Sequence, residues 1–371
     1  MHYVSGLLWT PNGLVKGHIG FQEGRIIEMG REEARENIAR GIILPTMVNA
    51  HTHIADFLVP FDSSLTLEEI VAPPNGLKHR KLREIPQGKL TEAVRNLANY
   101  MLQRGTSRFV DFREGGIRGA SVLTQVKNLG AKPVIFGRPS SLEFSKEEMD
   151  SLIKIVDGIA VSSISDWDYP TLKDLADYVR KKGKRFALHA SERVRENIDL
   201  ILDLKPSFLV HMTAASDYDL ELCAHEGIPV VICPRSNMLF GKIPPISKMI
   251  EKGVKIALGT DNAMFVLPDV LQEMEFAARL LRQQGLKDLN GLLKSIIETG
   301  REISGISDKV EFSEGEVCDF MVIESKGGDP IADFVFRSTS FDPIAVCIGD
   351  NLIVKTQLLG DLGAESDESR V

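Results

Sequence analysis

A chain of 371 residues, 43% hydrophobic and 26% charged, has an ordinary globular composition and is long enough for one large barrel plus a small accessory domain. Its net charge of −8, from 44 Lys and Arg against 52 Asp and Glu, argues against nucleic acid as the main partner. The longest apolar runs, GIILP and PVVIC, fall far short of the ~20 residues a membrane-spanning helix requires. The N-terminus carries no basic and apolar leader, and the 4 cysteines include no CxxC pair, so a cytoplasmic protein with reduced thiols is expected.

In chain order, residues 1–44 read as short strands and turns, with EGR as a hairpin turn inside LVKGHIGFQEGRIIEMG. Residues 45–307 alternate apolar runs with amphipathic stretches such as KLTEAVRNLANYMLQRG and TLKDLADYVRKKGK. The candidate strands of this region are GIILPTMVNA, SRFVDF, KPVIFG, DGIAVSS, RFALHA, SFLVHM, IPVVICP and VKIALGT. Continuous Val, Ile, Leu and Phe runs of this kind suit parallel strands covered on both faces. Eight strands alternating with helices point to an α/β fold, a (β/α)₈ TIM barrel ahead of a doubly wound open sheet. Residues 308–358 return to strand-like pieces, with IGDN as a second hairpin turn. The two ends are therefore expected to pair into one small composite β-sandwich domain. Residues 359–371 are acidic and polar and are expected to be disordered.

Polar, metal-capable residues recur at the C-terminal ends of these strands, where barrel enzymes keep their active sites. Strand 1 ends in His51-Thr52-His53, and residues two apart on a strand face the same side. Strand 5 runs into His189, strand 6 into His211 and strand 8 into Asp261. Four histidines and one carboxylate converging on one rim suit zinc, or alternatively ferrous iron. Cys233, with no activating base evident beside it, reads as a small buried hydrophobe.

The set NAHTH, LHASE, LVHMT, CPRSN and LGTDN, in this order, resembles the amidohydrolase superfamily. More narrowly it is similar to the branch holding cytosine, guanine and S-adenosylhomocysteine deaminases and the triazine chlorohydrolases. The resemblance implies that His51, His53, His189 and Asp261 hold one divalent metal ion, and that Asp261 also handles protons. Glu192, three residues after His189, matches the glutamate of the branch's HxxE motif, a proton shuttle. His211 matches a strand-6 histidine that contacts the attacking water or the substrate. The binuclear relatives place a bridging lysine at the end of strand 4, where this chain reads DGIAVSSISDWD, so a single metal is favoured. S-adenosylhomocysteine deaminases often place a histidine there, and its absence weighs against an adenosine-like substrate.

The expected reaction is hydrolytic deamination of an amino-substituted heterocycle such as a purine, pyrimidine or pterin, with loss of ammonia; cyclic amide opening and dechlorination on the same site are the alternatives, and a non-catalytic metal-binding barrel is a third. Asp261 would take a proton from the attacking water, and Glu192 would protonate the ring nitrogen beside the attacked carbon. Arg113 and Glu114 after strand 2, Arg138 after strand 3, Asp166 and Trp167 after strand 4 and Asn237 after strand 7 are the candidate substrate contacts. The basic run Lys78, His79, Arg80, Lys81 and Arg83 reads first as a solvated face, with a lid over an anionic substrate as the alternative. Association into a homodimer or larger is also expected.

Overall fold

The computed structural model describes residues 1–126, 130–305, 310–325, 328–337, 339 and 342–355. The tail at 359–371 lies outside them. The chain divides into two compact units: Met1–Thr46, Gln103–Gly105 and Lys309–Val371 form one, Met47–Leu102 and Thr106–Asp308 the other.

The chain opens with strands β1 (His2–Thr10), β2 (Gly13–Gln22), β3 (Arg25–Gly30) and β4 (Ala39–Leu44). Then follow β5 (Met47–His53), β6 (Thr106–Arg113), β7 (Lys132–Gly137), β8 (Gly158–Val161) and β9 (Arg185–Ala190). The second unit ends its strands with β10 (Phe208–His211), β11 (Val230–Ile232), β12 (Ile256–Leu258) and β13 (Asp261–Asn262). The chain returns to the first unit with β14 (Asp319–Ile323), β15 (Ala345–Ile348) and β16 (Asn351–Val354).

The first unit is a seven-stranded sheet in the order β16-β15-β14-β4-β1-β2-β3, antiparallel except where β1 runs parallel to β4. Phe21 of β2 and Phe320 of β14 have ring centroids 5.2 Å apart. Three strand spacings would separate them by ~14 Å in a flat sheet, so this sheet curls over its own core. Both expected hairpin turns are present, between β2 and β3 and between β15 and β16. Two readings needed correction. GIILPTMVNA is not one strand: Pro45 cannot donate to a ladder, and GIIL joins the first unit while MVNAHTH begins the second. PIADFVFR, inside the stretch expected to be strand-like, is the helix Pro330–Arg337, started by Asp329 Oδ1 accepting from the amides of Ile331 and Ala332.

The second unit carries a nine-stranded parallel sheet in the order β12-β11-β10-β9-β8-β7-β6-β5-β13. Its two end strands are separated in the chain by Gly259 and Thr260 alone. Phe112 of β6 and Phe208 of β10 lie 5.8 Å apart, against ~19 Å for four strand spacings in a flat sheet, so this sheet curls too. One buried cluster takes side chains from β5 through β12, including Ala50, Phe112, Phe136, Ala160, Ala187, Val231 and Ala257. Helices between the strands begin on capping residues the sequence displays, among them Asp168, Ser216, Asp269 and Asp288. No helix among the described residues is long and apolar enough to cross a membrane.

Candidate metal centre and active cleft

Every residue of β5 is buried, and His51 and His53 stand together at its C-terminal end. The ring centroids of His51 lie 4.9 Å from those of His53 and 5.0 Å from those of His189. His53 stacks on His189 at 5.4 Å, and His189 on His211 at 5.3 Å. His189 Nδ1 lies 3.1 Å from the carbonyl of Val161, so Nδ1 carries the hydrogen and Nε2 faces His53 Nε2 at 3.3 Å. Asp261 closes the group, with Oδ1 3.3 Å from His51 Nε2 and 3.7 Å from His53 Nε2. Its other oxygen accepts from the Ser236 hydroxyl.

These side chains fit a divalent cation. His51, His53 and His189 offer ligand atoms within 4.8 Å of one another, as do His51, His211 and Asp261. Nδ1 of buried His51 finds no hydrogen-bond partner among the described residues and Nε2 meets only Asp261 Oδ1 at 3.3 Å, and an unsatisfied buried nitrogen costs about 1–3 kcal/mol that a cation relieves. Burial lowers His51 to about 3 and His189 well below its ordinary range, so both rings are neutral, the form in which imidazole ligates.

The backbone is bent to serve this rim. His211, Met212 and Asp261 have φ of 80°, 50° and 61°, and Ser191 has 45°, all at or just past strand ends. Left-handed residues other than glycine cost of order 1–3 kcal/mol and gather where function over-determines them. Gly259 serves the same rim by being small: a Cβ there would lie 2.6 Å from His51 Cβ. Gly259→Ala should therefore displace His51, and metal analysis after gel filtration should find less metal per chain than in the wild type; an unchanged stoichiometry would refute the need for that gap.

Glu192 lies beside this group. Its Oε1 is 3.6 Å from His211 Nε2, and His211 Nδ1 is held by Asn237 Nδ2 at 3.2 Å. The neighbouring arginines are engaged elsewhere: Arg193 with Glu68 at 3.2 Å and Arg195 with both oxygens of Asp219 at 2.7 Å. Burial raises the Glu192 carboxyl, with His211 opposing and the Asp261 charge adding to the rise. A cleft of about 750 Å³ is lined by His53, Arg138, His189, Glu192, His211 and Asp261, together with Ser162, Ser163 and Asp166 past β8.

The other expected substrate contacts fall differently. Arg138 lines the cleft, whereas Arg113, Glu114, Trp167 and Asn237 are not among its lining residues. Asn237 acts on His211, and Trp167 lines a narrower space of about 430 Å³ that shares Arg138 with the cleft. Arg113 and Glu114 are 2% and 6% exposed because they satisfy each other in a buried charge network. Glu114 Oε1 meets Lys78 Nζ at 2.6 Å, His53 Nδ1 at 2.9 Å and Arg138 Nη1 at 3.1 Å; Oε2 meets Arg113 at 2.7 Å. Asp56 bridges Arg113 at 3.3 Å and Lys78 at 3.2 Å, and accepts from Asn262.

Lys78 thus corrects the solvated-face reading of the basic run: it is 2% exposed, while Arg80 and Arg83 remain outside. Sequence reasoning passed over Asp56 and Asp111, and gave no role to Ser236 and Asn262 although CPRSN and LGTDN contain them. Asn49 lay within the quoted NAHTH motif, and its amide joins β5 to Thr260 through two hydrogen bonds, of 2.8 and 3.1 Å. Cys233 is fully buried in the inner cluster, and burial raises its thiol well above the ordinary range.

The amidohydrolase family model matches residues 42–353. A relative from Methanothermobacter thermautotrophicus, provisionally named an aminohydrolase, is 32% identical over 358 residues, covering 90% of this chain and 93% of its own. A 5-methylthioadenosine/S-adenosylhomocysteine deaminase from Acetivibrio thermocellus is 24% identical, covering 95% of this chain and 91% of its own. Among solved structures, a 5-methylcytosine deaminase from Klebsiella pneumoniae superposes with a TM-score of 0.78 at 12% identity, covering 96% of this chain and 98% of that one. An adenosine deaminase from Xanthomonas campestris with bound zinc superposes at 0.76 with 17% identity, covering 94% and 92%. With four histidines and an aspartate gathered at one rim of a curled parallel sheet, and a family match over most of its length, the chain belongs to the amidohydrolase family of hydrolytic enzymes.

Proposed function

We propose that this chain is a hydrolytic deaminase of an amino-substituted heterocycle, R–NH₂ + H₂O giving R–OH (in its ring-keto tautomer) and NH₃, with Glu192 as its proton shuttle. The observation that carries the reading is the placement of the Glu192 carboxyl, 3.6 Å from His211 Nε2 and in one cleft with His53, His189 and Asp261. The deaminases and the aminohydrolase among its relatives support the same reaction class. His51, His53, His189 and Asp261 would hold a single divalent cation, zinc ahead of iron, which when bound supplies the Lewis acidity that lets water ionise near neutral pH. Asp261, steadied by Ser236, takes the proton from the attacking water. Glu192 delivers a proton to the ring nitrogen beside the attacked carbon. His211, fixed by Asn237, orients the attacked group; Asp261 passes its proton to the departing amino group, Glu192 takes up the hydroxyl proton, and the tetrahedral carbon collapses with loss of ammonia.

The scaffold of the reading is a closed (β/α)₈ barrel at 45–307, with 1–44 and 308–358 as a composite β-sandwich. Closure is supported by residues 256–262 pairing with β11 at one end and with β5 at the other.

Ammonia release across a panel of amino-purines, amino-pyrimidines and pterins tests the function directly. The expected result is turnover of at least one member that a chelator abolishes and added zinc restores. Chloride release from a chlorotriazine, or opening of a cyclic amide, without ammonia from any panel member would replace deamination by that reaction. Metal analysis of protein purified without chelators should return about one metal per chain, because the end of β8 offers no bridging lysine; a value near two would overturn the single-metal reading.

A further inference from the structure

A second cavity, of about 850 Å³, is lined by Arg113 and Glu114 and so shares the buried charge network with the cleft. Part of its wall is apolar, from Leu82, Leu90 and Val122. The rest is cationic, from Arg83, Arg113 and Arg118, and its one carboxylate is Glu114, already engaged by Lys78, Arg113 and Arg138. Arg83 and Arg118 have no carboxylate partner among the described residues. They are held by backbone carbonyls instead: Arg83 by Pro74 at 3.2 Å, Arg118 by Arg83 at 3.4 Å and Ile85 at 3.5 Å. Burial, then the charge of Lys78, pushes His79 in the same wall down to about 4, so that ring is neutral and the charge of the chamber is that of its arginines.

Arg113, 2% exposed, closes the inner side of this wall through Glu114 at 2.7 Å and Asp56 at 3.3 Å. The nine-residue helix Gly116–Thr124 also starts at this wall. Gly115 and Gly116 open it with φ of 86° and 57°, and a Cβ on Gly115 would meet only the backbone of Gly119, at 3.7 Å. The Gly116 amide donates to the Arg138 carbonyl at 3.1 Å, and Arg118 in this first turn brings its charge to the cavity wall.

We propose that this cavity binds an organic anion, a small molecule whose carboxylate or phosphate is held by Arg83 and Arg118, with its apolar body against Leu82, Leu90 and Val122. The site stands apart from the catalytic assignment. It has two chemical sources, because the narrower space lined by Trp167 shares Arg83 with this cavity and Arg138 with the cleft. The anion is either the far end of the substrate or a separate small molecule.

Equilibrium dialysis of the full chain against phenyl phosphate tests the site without any turnover. Saturable binding of about one probe per chain is expected, weakened about tenfold or more in R83Q/R118Q with metal content unchanged. If the double variant does not fold, Arg118→Gln alone, at an exposed position of the first turn, should weaken binding by about threefold. Non-saturable binding in the wild type, or variant binding equal to wild type, overturns the proposal, and neither result bears on the deaminase reading. In the ammonia assay, competition by phenyl phosphate identifies the substrate's own end, whereas altered turnover without competition identifies a separate ligand.

Discussion

Glu192→Gln should lower turnover by about 10²-fold or more while the chain keeps its metal, because the amide preserves shape and one acceptor oxygen but carries no exchangeable acid proton. Glu192 Oε1 lies 3.6 Å from His211 Nε2, and Glu192 stands outside the groups of side chains that could hold a cation. Its loss should therefore fall on proton delivery. Burial favours the protonated acid, which is the form a donor to a ring nitrogen needs. His189→Ala should behave in the opposite way, lowering metal occupancy first and activity as a consequence, since it removes a neutral imidazole aimed at His53 and the rim. Parallel metal analysis and ammonia assays on the two variants separate the roles. Full activity in Glu192→Gln would falsify the shuttle, and loss of metal from that variant would make Glu192 a ligand.

The parts of this molecule legible in the sequence are those set by local patterning. KPVIFG and RFALHA are strands to the residue, because continuous apolar runs between polar breaks leave little choice of boundary. The strand-end residues were legible for the same reason: two-residue alternation places His51 and His53 on one side whatever the fold around them. What the sequence could not display is pairing across long separations. Lys78 and Glu114 are 36 residues apart and Asp56 and Asn262 are 206 apart, so a charge run and an isolated carboxylate carried no sign of becoming one buried network. Arg113 and Glu114 are expected as substrate contacts because each follows a strand end; their ion pairs with Asp56 and Lys78, which lie far away in the chain, are what the sequence does not display.

That network supplies the second large effect. Lys78→Met should destabilise the fold by about 3–5 kcal/mol, the cost of removing one partner from a buried ion cluster, and urea unfolding should read it as a lower midpoint at unchanged slope. The reason is charge balance. Lys78, Arg113 and Arg138 face Asp56, Asp111 and Glu114, all of them 7% exposed or less, and Met leaves three carboxylates against two guanidinium groups. Adding Asp56→Asn restores equal numbers and keeps an oxygen for Asn262, so the double variant should be less damaged than the sum of the two singles. Strict additivity would mean that the pair does not interact. The pH dependence has a defined sign. Burial alone would raise Glu114, but the charges of Lys78 and Arg113 and the hydrogen bond with His53 hold it well below the usual carboxylate range. Glu114 therefore contributes stability that is present above ~4.3, its unfolded value, and is lost as pH falls through the lower folded value. Without Lys78 the folded value rises, that contribution shrinks, and the gap between wild type and Lys78→Met should narrow as pH falls below ~4.3. Because Glu114 Oε1 also stands 2.9 Å from His53 Nδ1, the same substitution loosens the second histidine of the rim, and Lys78→Met should retain metal less tightly than the wild type even where it remains folded.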